Sequence, residues 1–219
     1  MWCVPEINDE YIQRMEDVLD LYERPTSAQE PVVCLDEKPI QLLKDTASYS
    51  RRSRPGHIRK RDYEYRRKGT ANAFCAVEPK RGRHFIKITK NRKAKEFAEM
   101  LRDLGRFYPN ARKIHLVMDN LNTHTRKSLI KHLGPKRGDN LWNRFEVHYT
   151  PKHASWLNQA EIEINMFSRE CLGKDRIGTL ITLERRALAW AKSANRDQRK
   201  INWGFTTEKA RKKFGYKRQ

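Results

Sequence analysis

The stretch that most constrains the fold is an apolar run, Ile114–Met118, that stops at the carboxylate Asp119. A short run of this kind indicates a strand buried on both faces, as in a sheet covered by helices. At the end of such a strand, an acidic side chain leaves the core and enters the crevice that the following loop builds. A single Asp there is also typical of an ordinary end-of-strand turn, so Asp119 gains meaning only from other residues.

Two further segments carry an acidic residue in a comparable place. The apolar run Val32–Leu35 is followed by Asp36, and a helical pattern that begins near Trp156 has Glu161 in its first turn. Mg²⁺ takes hard oxygen ligands and keeps several waters, so two or three carboxylates hold it together with a substrate phosphate. We therefore expect Asp36 and Asp119 at the ends of neighbouring strands, with Glu161 reaching in from a helix. Spacing alone only suggests this set, because the chain has 27 acidic residues.

The net charge of the chain indicates which kind of molecule it binds. The 219-residue chain has 47 Lys and Arg against 27 Asp and Glu, a formal charge of +20. Such an excess favours a polyanionic partner, and nucleic acid is the commonest one; the alternative is a solvated surface on an ordinary enzyme. No apolar run approaches the ~18 residues of a membrane span, and no secretory signal is visible. We expect a cytoplasmic protein whose four scattered cysteines are reduced thiols.

The densest basic tract lies between residues 51 and 68, around Pro55-Gly56. Basic side chains on a loop and hairpin are typical of contacts with a phosphate backbone, and a solvated loop is the alternative. The candidate DNA-binding residues are Arg51, Arg52, Arg54, Arg59, Lys60, Arg61, Arg66, Arg67 and Lys68, together with Lys152 farther along the chain.

The order of predicted elements indicates an α/β fold with a mixed sheet. A helix over 6–23, capped by Asn8, precedes the first strand, 31–35, which Asp36–Pro39 is expected to break. Residues 62–77 are expected to form a hairpin that turns at Lys68-Gly69. The later predictions are strands 84–89, 114–118 and 145–149, helices 91–108, 125–133, 158–172, 182 onward and 207–214, and a polar loop 136–144. As domains, we expect a helix and linker at 1–30, a core at 31–175, and C-terminal helices with a basic tail at 176–219.

Three blocks of sequence, in a fixed order along the chain, distinguish these carboxylates from the other acidic residues. They are Leu35-Asp-Glu37, Met118-Asp-Asn-Leu-Asn-Thr-His124 and Thr150-Pro-Lys-His-Ala-Ser-Trp-Leu-Asn-Gln-Ala-Glu161. These blocks resemble the catalytic blocks of the DDE transposases, with the strongest likeness to bacterial insertion-sequence members of the Tc/mariner superfamily. The resemblance covers residues from about Pro31 to Cys171.

The resemblance implies a ribonuclease H-like fold and a site for two Mg²⁺ or Mn²⁺ ions. Asp36, Asp119 and Glu161 match the metal-binding catalytic triad of the family. It further implies that a water attacks DNA at the transposon end and that the freed 3′-hydroxyl then attacks target DNA. The residues that match the flanking positions of the motif are Asn120, His124, Ser155 and Asn158.

The roles of several neighbours stay open at this point. Asn120 and His124 would orient the carboxylates or contact phosphate, or make only local hydrogen bonds. Glu37, Glu163 and Glu170 are expected at the surface, and Glu163 lies ~200° around the helix from Glu161. The histidines His115, His148 and His153 show no metal-ligand grouping. Trp156 is expected to be buried rather than to stack on a base.

Two departures from the family pattern bear on partners. About thirty residues precede the first strand, fewer than a helix-turn-helix domain with its connection needs, so a separate N-terminal helix-turn-helix chain is one expectation. The interval from Asp119 to Glu161 is also long, through an expected extra loop around Pro135–Leu141. The resemblance implies a homodimer or higher oligomer on DNA, in a bacterial, nucleoid-associated setting. A nuclease without strand transfer and an inactive DNA-binding remnant are the alternatives.

Overall fold

A computed structural model describes residues 7–46 and 63–217. A five-stranded mixed sheet forms the centre, with strand order β3-β2-β1-β4-β5. The strands are β1 (Val32–Asp45), β2 (Tyr65–Glu78), β3 (Arg83–Thr89), β4 (Ile114–Met118) and β5 (Phe145–Tyr149). β2 runs antiparallel to its neighbours β1 and β3, and β4 and β5 are parallel to β1. This is the mixed α/β sheet that the sequence predicts.

Helices cover both faces of the sheet. The helices are α1 (Asp9–Glu23), α2 (Ala94–Phe107), α3 (Arg126–Leu133), α4 (Pro135–Trp142), α5 (Ala160–Phe167), α6 (Leu180–Arg196) and α7 (Thr207–Phe214). On one face, α2 and α3 pack over a core that includes Leu35, Phe97 and Leu116. The other face carries α1, α5, α6 and α7 over two adjoining apolar clusters. The two-sided burial explains why β4 is buried along its whole length and is apolar apart from His115.

Local signals set most of the helix ends. Asn8 caps α1 by accepting a hydrogen bond from the Tyr11 N–H at 2.8 Å, as the sequence predicts. Thr125 and Thr179 accept hydrogen bonds from the N–H groups of Ser128 and Thr182, so they cap α3 and α6. None of the helices in the described ranges has the length and apolar composition of a membrane span.

Three of the predicted elements were wrong. The first strand does not break at Asp36–Pro39; β1 runs on to Asp45, because β2 pairs with it along this stretch. The predicted hairpin turn at Lys68-Gly69 is instead an irregularity inside the single strand β2. Opposite Gln41 and Leu43 the register shifts, and Gly69 takes a φ of +97°, which a residue without Cβ adopts at little cost.

The third wrong element is the polar loop predicted for 136–144, which forms helix α4. Gly134 at φ +84° turns the chain between α3 and α4, and Pro135 sits in the first turn of α4, where a missing N–H costs little. Gly138 then lies against the backbone of α3, since a Cβ there would meet the Ile130 N and Cα atoms at 2.7 Å. The extra residues before β5 are therefore a packed helix rather than a loose loop.

Candidate active site

The pairing of β1 with β4 brings two of the three predicted carboxylates side by side. Cys34 is the partner of Val117 in this parallel register. Continuing the register by two residues sets Asp36 level with Asp119, at the point where β4 ends and β1 continues. Asp36 thus lies within a long strand, whereas the sequence predicted that it would lie at the end of a short one.

The third carboxylate, Glu161, lies in the first turn of α5, and the side-chain amide of Asn158 connects the start of this helix to β1. Asn158 Nδ2 donates a hydrogen bond to the Leu35 carbonyl at 2.9 Å, next to Asp36. Its Oδ1 accepts from the Ala160 N–H at 3.1 Å, and its carbonyl accepts from the Glu161 N–H at 3.0 Å. The side chain is buried, so these bonds hold the first turn of α5 against β1. Asn158 therefore orients Glu161 relative to Asp36.

The pKa of Asp36 is sensitive to the neighbouring carboxylates. Burial is the largest cause that raises the pKa of Asp36 from 3.8 to about 7; a backbone hydrogen bond lowers the pKa, and the charges of Glu161, Asp119 and Glu37 add to the rise. That bond is donated by the Glu37 N–H to Asp36 Oδ1 at 2.7 Å. The carboxylates repel one another in a partly buried place, where screening by water is weak. A divalent cation would relieve this repulsion, so the residues present fit the metal that their chemistry implies.

His124 lies behind Asp119 and bridges two carboxylates. Its Nδ1 is 2.8 Å from Asp119 Oδ1, and its Nε2 is 2.6 Å from Glu37 Oε1. Burial lowers the pKa of His124, but the hydrogen bonds to Asp119 and Glu37 outweigh it and raise the pKa to about 9. The ring is therefore an imidazolium at neutral pH, donating one N–H to each carboxylate. Of the roles that the sequence left open for His124, this contact with Asp119 fits the orienting of a carboxylate.

The ring of His124 is also fixed by its neighbours on the same face of the sheet. Phe97 stacks on it with centroids 4.5 Å apart, and Tyr149 donates its hydroxyl hydrogen to the His124 carbonyl at 2.9 Å. Oxygen and nitrogen atoms of Glu37, Asp119 and His124 lie within 4.8 Å of one another, which is close enough to surround an ion. Because both ring nitrogens already donate to carboxylates, this group is better described as a hydrogen-bonded bridge than as a cation site.

Two carboxylates expected at the surface are in fact buried. Glu37 points to the face opposite Asp36, since successive side chains of a strand alternate, and there it meets His124. Glu163 accepts hydrogen bonds from His84 Nδ1 at 2.8 and 2.9 Å, and both side chains are fully buried. These two expectations were wrong, because an acidic residue can be buried when a histidine partner lies across the fold. Glu170 is exposed, as predicted.

A cleft beside Asp119 collects the remaining motif residues. It has a volume of about 660 Å³ and opens between β4, α1 and the loop after β5. That loop is held next to Asp119 because the Thr150 N–H donates to the Met118 carbonyl at 3.0 Å. The residues along its walls include Arg14, Asp119, Asn120, Lys152 and Ser155. In this cleft, Asn120, Lys152 and Ser155 are exposed and available to a ligand. The sequence analysis did not predict Arg14 as a cleft residue, because the only signal in its helix was the apolar stripe.

The basic tract divides into two parts. Arg66, Arg67 and Lys68 are exposed on the part of β2 that extends beyond the helix-covered core. This ribbon is fixed by Arg176, whose Nη1 donates to Asp45 Oδ1 at 2.6 Å while its guanidinium lies 5.0 Å from the ring centre of Tyr65. The other predicted DNA-binding residues, Arg51, Arg52, Arg54, Arg59, Lys60 and Arg61, lie outside the described residues.

Comparison with known proteins decides the family. The family model of the DDE superfamily endonucleases matches residues 31–184, more than two thirds of the chain. The chain belongs to the DDE superfamily of endonucleases. The matched range contains β1, β4 and α5, and thus all three carboxylates of this DDE endonuclease.

Solved structures show the same fold at low sequence identity. The chain is similar to the Mos1 Strand Transfer Complex structure, with TM-score 0.56, 17% identity, and coverage of 90% of this chain and 60% of that chain. It is similar to the Mos1 mariner paired end complex with Mn, with TM-score 0.51, 16% identity, and coverage of 93% and 67%. A comparison with curated proteins found no significant match. The structural matches confirm the ribonuclease H-like fold for this DDE endonuclease.

The raised pKa of Asp36 predicts a cost in stability that depends on pH. Above about pH 4 the unfolded chain loses the Asp36 proton, whereas the folded protein keeps it up to about pH 7. The folded state is therefore destabilised progressively between these values. We expect Asp36→Asn, in EDTA, to raise the free energy of unfolding by about 1–3 kcal/mol at pH 8 and by less at pH 5.

Chemical denaturation at the two pH values measures this difference. Glu184→Gln, which changes an exposed carboxylate on α6, is the matched control and should alter stability by less than about 0.5 kcal/mol at either pH. A destabilised Asp36→Asn protein at pH 8, or an effect equal at both values, would show that Asp36 is not held in a repulsive, partly buried cluster.

Proposed function

We propose that this DDE endonuclease is the catalytic part of a transposase, with Asp36, Asp119 and Glu161 as its metal-binding catalytic residues. The single observation that carries the proposal is the placement of the three elements: the β1–β4 register sets Asp36 level with Asp119, and the Asn158 bond to Leu35 holds the first turn of α5, which carries Glu161, beside Asp36. Random surface acids would not be held by two independent elements of the fold. The order of these residues within the matched family range supports the same assignment.

Divalent metal binding is the chemistry that such a set supports. Three carboxylates offer hard oxygen ligands, which suit Mg²⁺ or Mn²⁺. We propose two ions; a pair of ions activates the attacking oxygen and stabilises the leaving oxygen of a phosphodiester. The similar mariner structure named as a complex with Mn supports a divalent metal. The chain itself contributes the ligands, and the His124 imidazolium holds the Asp119 carboxylate in a fixed orientation.

DNA is the proposed substrate, at both the transposon ends and the target. The similar structures are named as the Mos1 Strand Transfer Complex and the Mos1 mariner paired end complex, which supports this choice. The charge of +20 attracts a polyanion, and Arg66, Arg67 and Lys68 present cations on an exposed ribbon. Lys152, Asn120 and Ser155 border the cleft beside Asp119, where a scissile phosphate would lie.

The assembly and its setting extend the proposal further. A transposase joins two ends, so we propose a homodimer or higher oligomer on DNA. The chain spans 67% and 60% of the two similar structures, and a helix-turn-helix unit, on this polypeptide or on a separate chain, would supply end recognition. A bacterial insertion sequence and a nucleoid-associated, cytoplasmic location remain predictions, as does the division into units at 1–30, 31–175 and 176–219.

Cleavage of DNA is expected to need the metal and each carboxylate. Nicking of supercoiled plasmid in Mn²⁺ should fall by about 10³-fold or more in Asp36→Ala, Asp119→Ala or Glu161→Gln, because each change removes one negatively charged carboxylate from a shared metal site. Glu184→Gln is the matched control for Glu161→Gln, since it removes a helical carboxylate outside the cluster. Wild-type activity in Asp119→Ala would overturn the assignment.

Joining of a labelled pre-cleaved end to a target plasmid separates the proposed transposase from its alternatives. Nicking that depends on the carboxylates, together with joined product, supports strand transfer by one site. Nicking without joining under the same conditions supports a nuclease that only hydrolyses. Tight, salt-sensitive DNA binding without nicking, even after addition of a helix-turn-helix domain, supports an inactive remnant.

Lys152 tests the proposed path of DNA through the cleft. Lys152→Ala should weaken DNA binding and reduce the slope of log affinity against log salt by about 1, because one phosphate contact is lost. Lys136→Ala, an exposed lysine on α4 at the opposite face of the sheet, is the matched control and should leave the slope near its wild-type value. Equal effects of the two substitutions would mean that the cleft does not guide the DNA.

A further inference from the structure

A second group of metal-ligating side chains lies on the face of the sheet beneath α1. His115 on β4 is the register partner of Glu146 on β5, so the two side chains share a face. His148 is two residues farther along β5 and points the same way. The sequence predicted no metal-ligand grouping among these histidines; the structure contradicts this, because the parallel pairing of β4 and β5 brings together residues that are 33 positions apart.

The distances within this group suit a transition metal. His115 Nδ1 lies 3.0 Å from His148 Nε2 and 3.8 Å from Glu146 Oε2, and one ligand atom from each residue falls within a 4.8 Å span. A tetrahedral ion with bonds of about 2.0–2.1 Å places neighbouring ligand atoms roughly 3.3 Å apart. Small rotations of the side chains would therefore admit an ion between them.

A carboxylate behind His148 sets the ring in its ligating form. Asp17 Oδ2 on α1 accepts a hydrogen bond from His148 Nδ1 at 2.7 Å, which leaves the Nε2 lone pair directed at His115. A carboxylate that accepts from the outer nitrogen of a metal-bound histidine is the usual support of such a ligand. Burial lowers the pKa of His115 and favours its neutral, ligating form, although the nearby charges of Arg24 and Glu146 act in opposite directions.

We propose that His115, Glu146 and His148 form a binding site for a transition metal of the zinc class, separate from the catalytic carboxylates. Two imidazoles and one carboxylate match zinc, whereas Mg²⁺ prefers oxygen ligands, so the two sites select different ions. Asp119 follows His115 by four strand residues, roughly 13 Å, which keeps the sites apart. The half-exposed Glu146 side chain leaves the site open to solvent on one side.

The ion would fasten the edge of the sheet. β5 is an edge strand, and the proposed ligands join it to β4 while Asp17 links it to α1. Without an ion, the same geometry is a hydrogen-bonded chain in which His115 Nδ1–H donates to His148 Nε2. The test therefore has to detect the metal directly rather than the stability of this region.

Zinc titration against a chromophoric chelator, with the full chain in excess Mg²⁺, tests the proposal. We expect one tight equivalent of Zn²⁺ in the wild type, in Asp119→Ala, and in His132→Ala, which removes a histidine outside the group. His148→Ala should lose this equivalent, and Asp17→Asn should weaken it by about 10–100-fold. Co²⁺ bound at the same stoichiometry should give the visible absorption of a four-coordinate ion, and His148→Ala should abolish that absorption.

Glu146→Gln keeps the test decisive if His148→Ala does not fold, because the exposed Glu146 side chain lies outside the core. It should bind Zn²⁺ at least about 10-fold more weakly than the wild type. Three results would each overturn the proposal. They are stoichiometric Zn²⁺ binding that is unchanged in both Glu146→Gln and His148→Ala, loss of Zn²⁺ binding in Asp119→Ala alone, and the absence of a tight equivalent in the wild type.

Discussion

The candidate site depends on one constraint, the parallel pairing of β1 with β4. A slip of this register by one residue would turn Asp36 to the opposite face and separate it from Asp119. The register is fixed by burial on both faces, since Val33, Leu35 and Leu116 fill one core while Cys34 and Val117 fill the other. The hydrophobic cores therefore position the carboxylates, and the bond from Asn158 to Leu35 adds Glu161 to the same place.

The site concentrates negative charge, and a buried histidine offsets part of it from one side. His124 is held as an imidazolium between Asp119 and Glu37, on the face of the sheet away from Asp36. On the near face, burial and repulsion raise the pKa of Asp36 to about 7. This arrangement would favour a cation at the open side of the site. It also means that stability and metal binding make opposing demands on Asp36.

The sequence predicted the parts of this account that depend on neighbours along the chain. Alternating or continuous apolar runs predicted the mixed sheet, the capping residue Asn8 predicted the start of α1, and the order of the motifs predicted Asp36, Asp119 and Glu161 as the site residues. The predictions from sequence were wrong for features that depend on contacts between residues far apart in the chain. Strand pairing determines the register irregularity at Gly69 and the meeting of His115 with His148. Packing between other elements buries Glu37 against His124 and Glu163 against His84. No local sequence pattern reveals these contacts.

Diffraction from Mn²⁺-soaked crystals at the manganese absorption edge tests the central claim most directly. The account predicts two anomalous peaks within bonding distance of the carboxylates, with Asp36, Asp119 and Glu161 as ligands and His124 still bonded to Asp119. Both peaks should vanish in crystals of Asp119→Ala. Manganese bound only between Glu37, Asp119 and His124, with none on Asp36 or Glu161, would contradict the account.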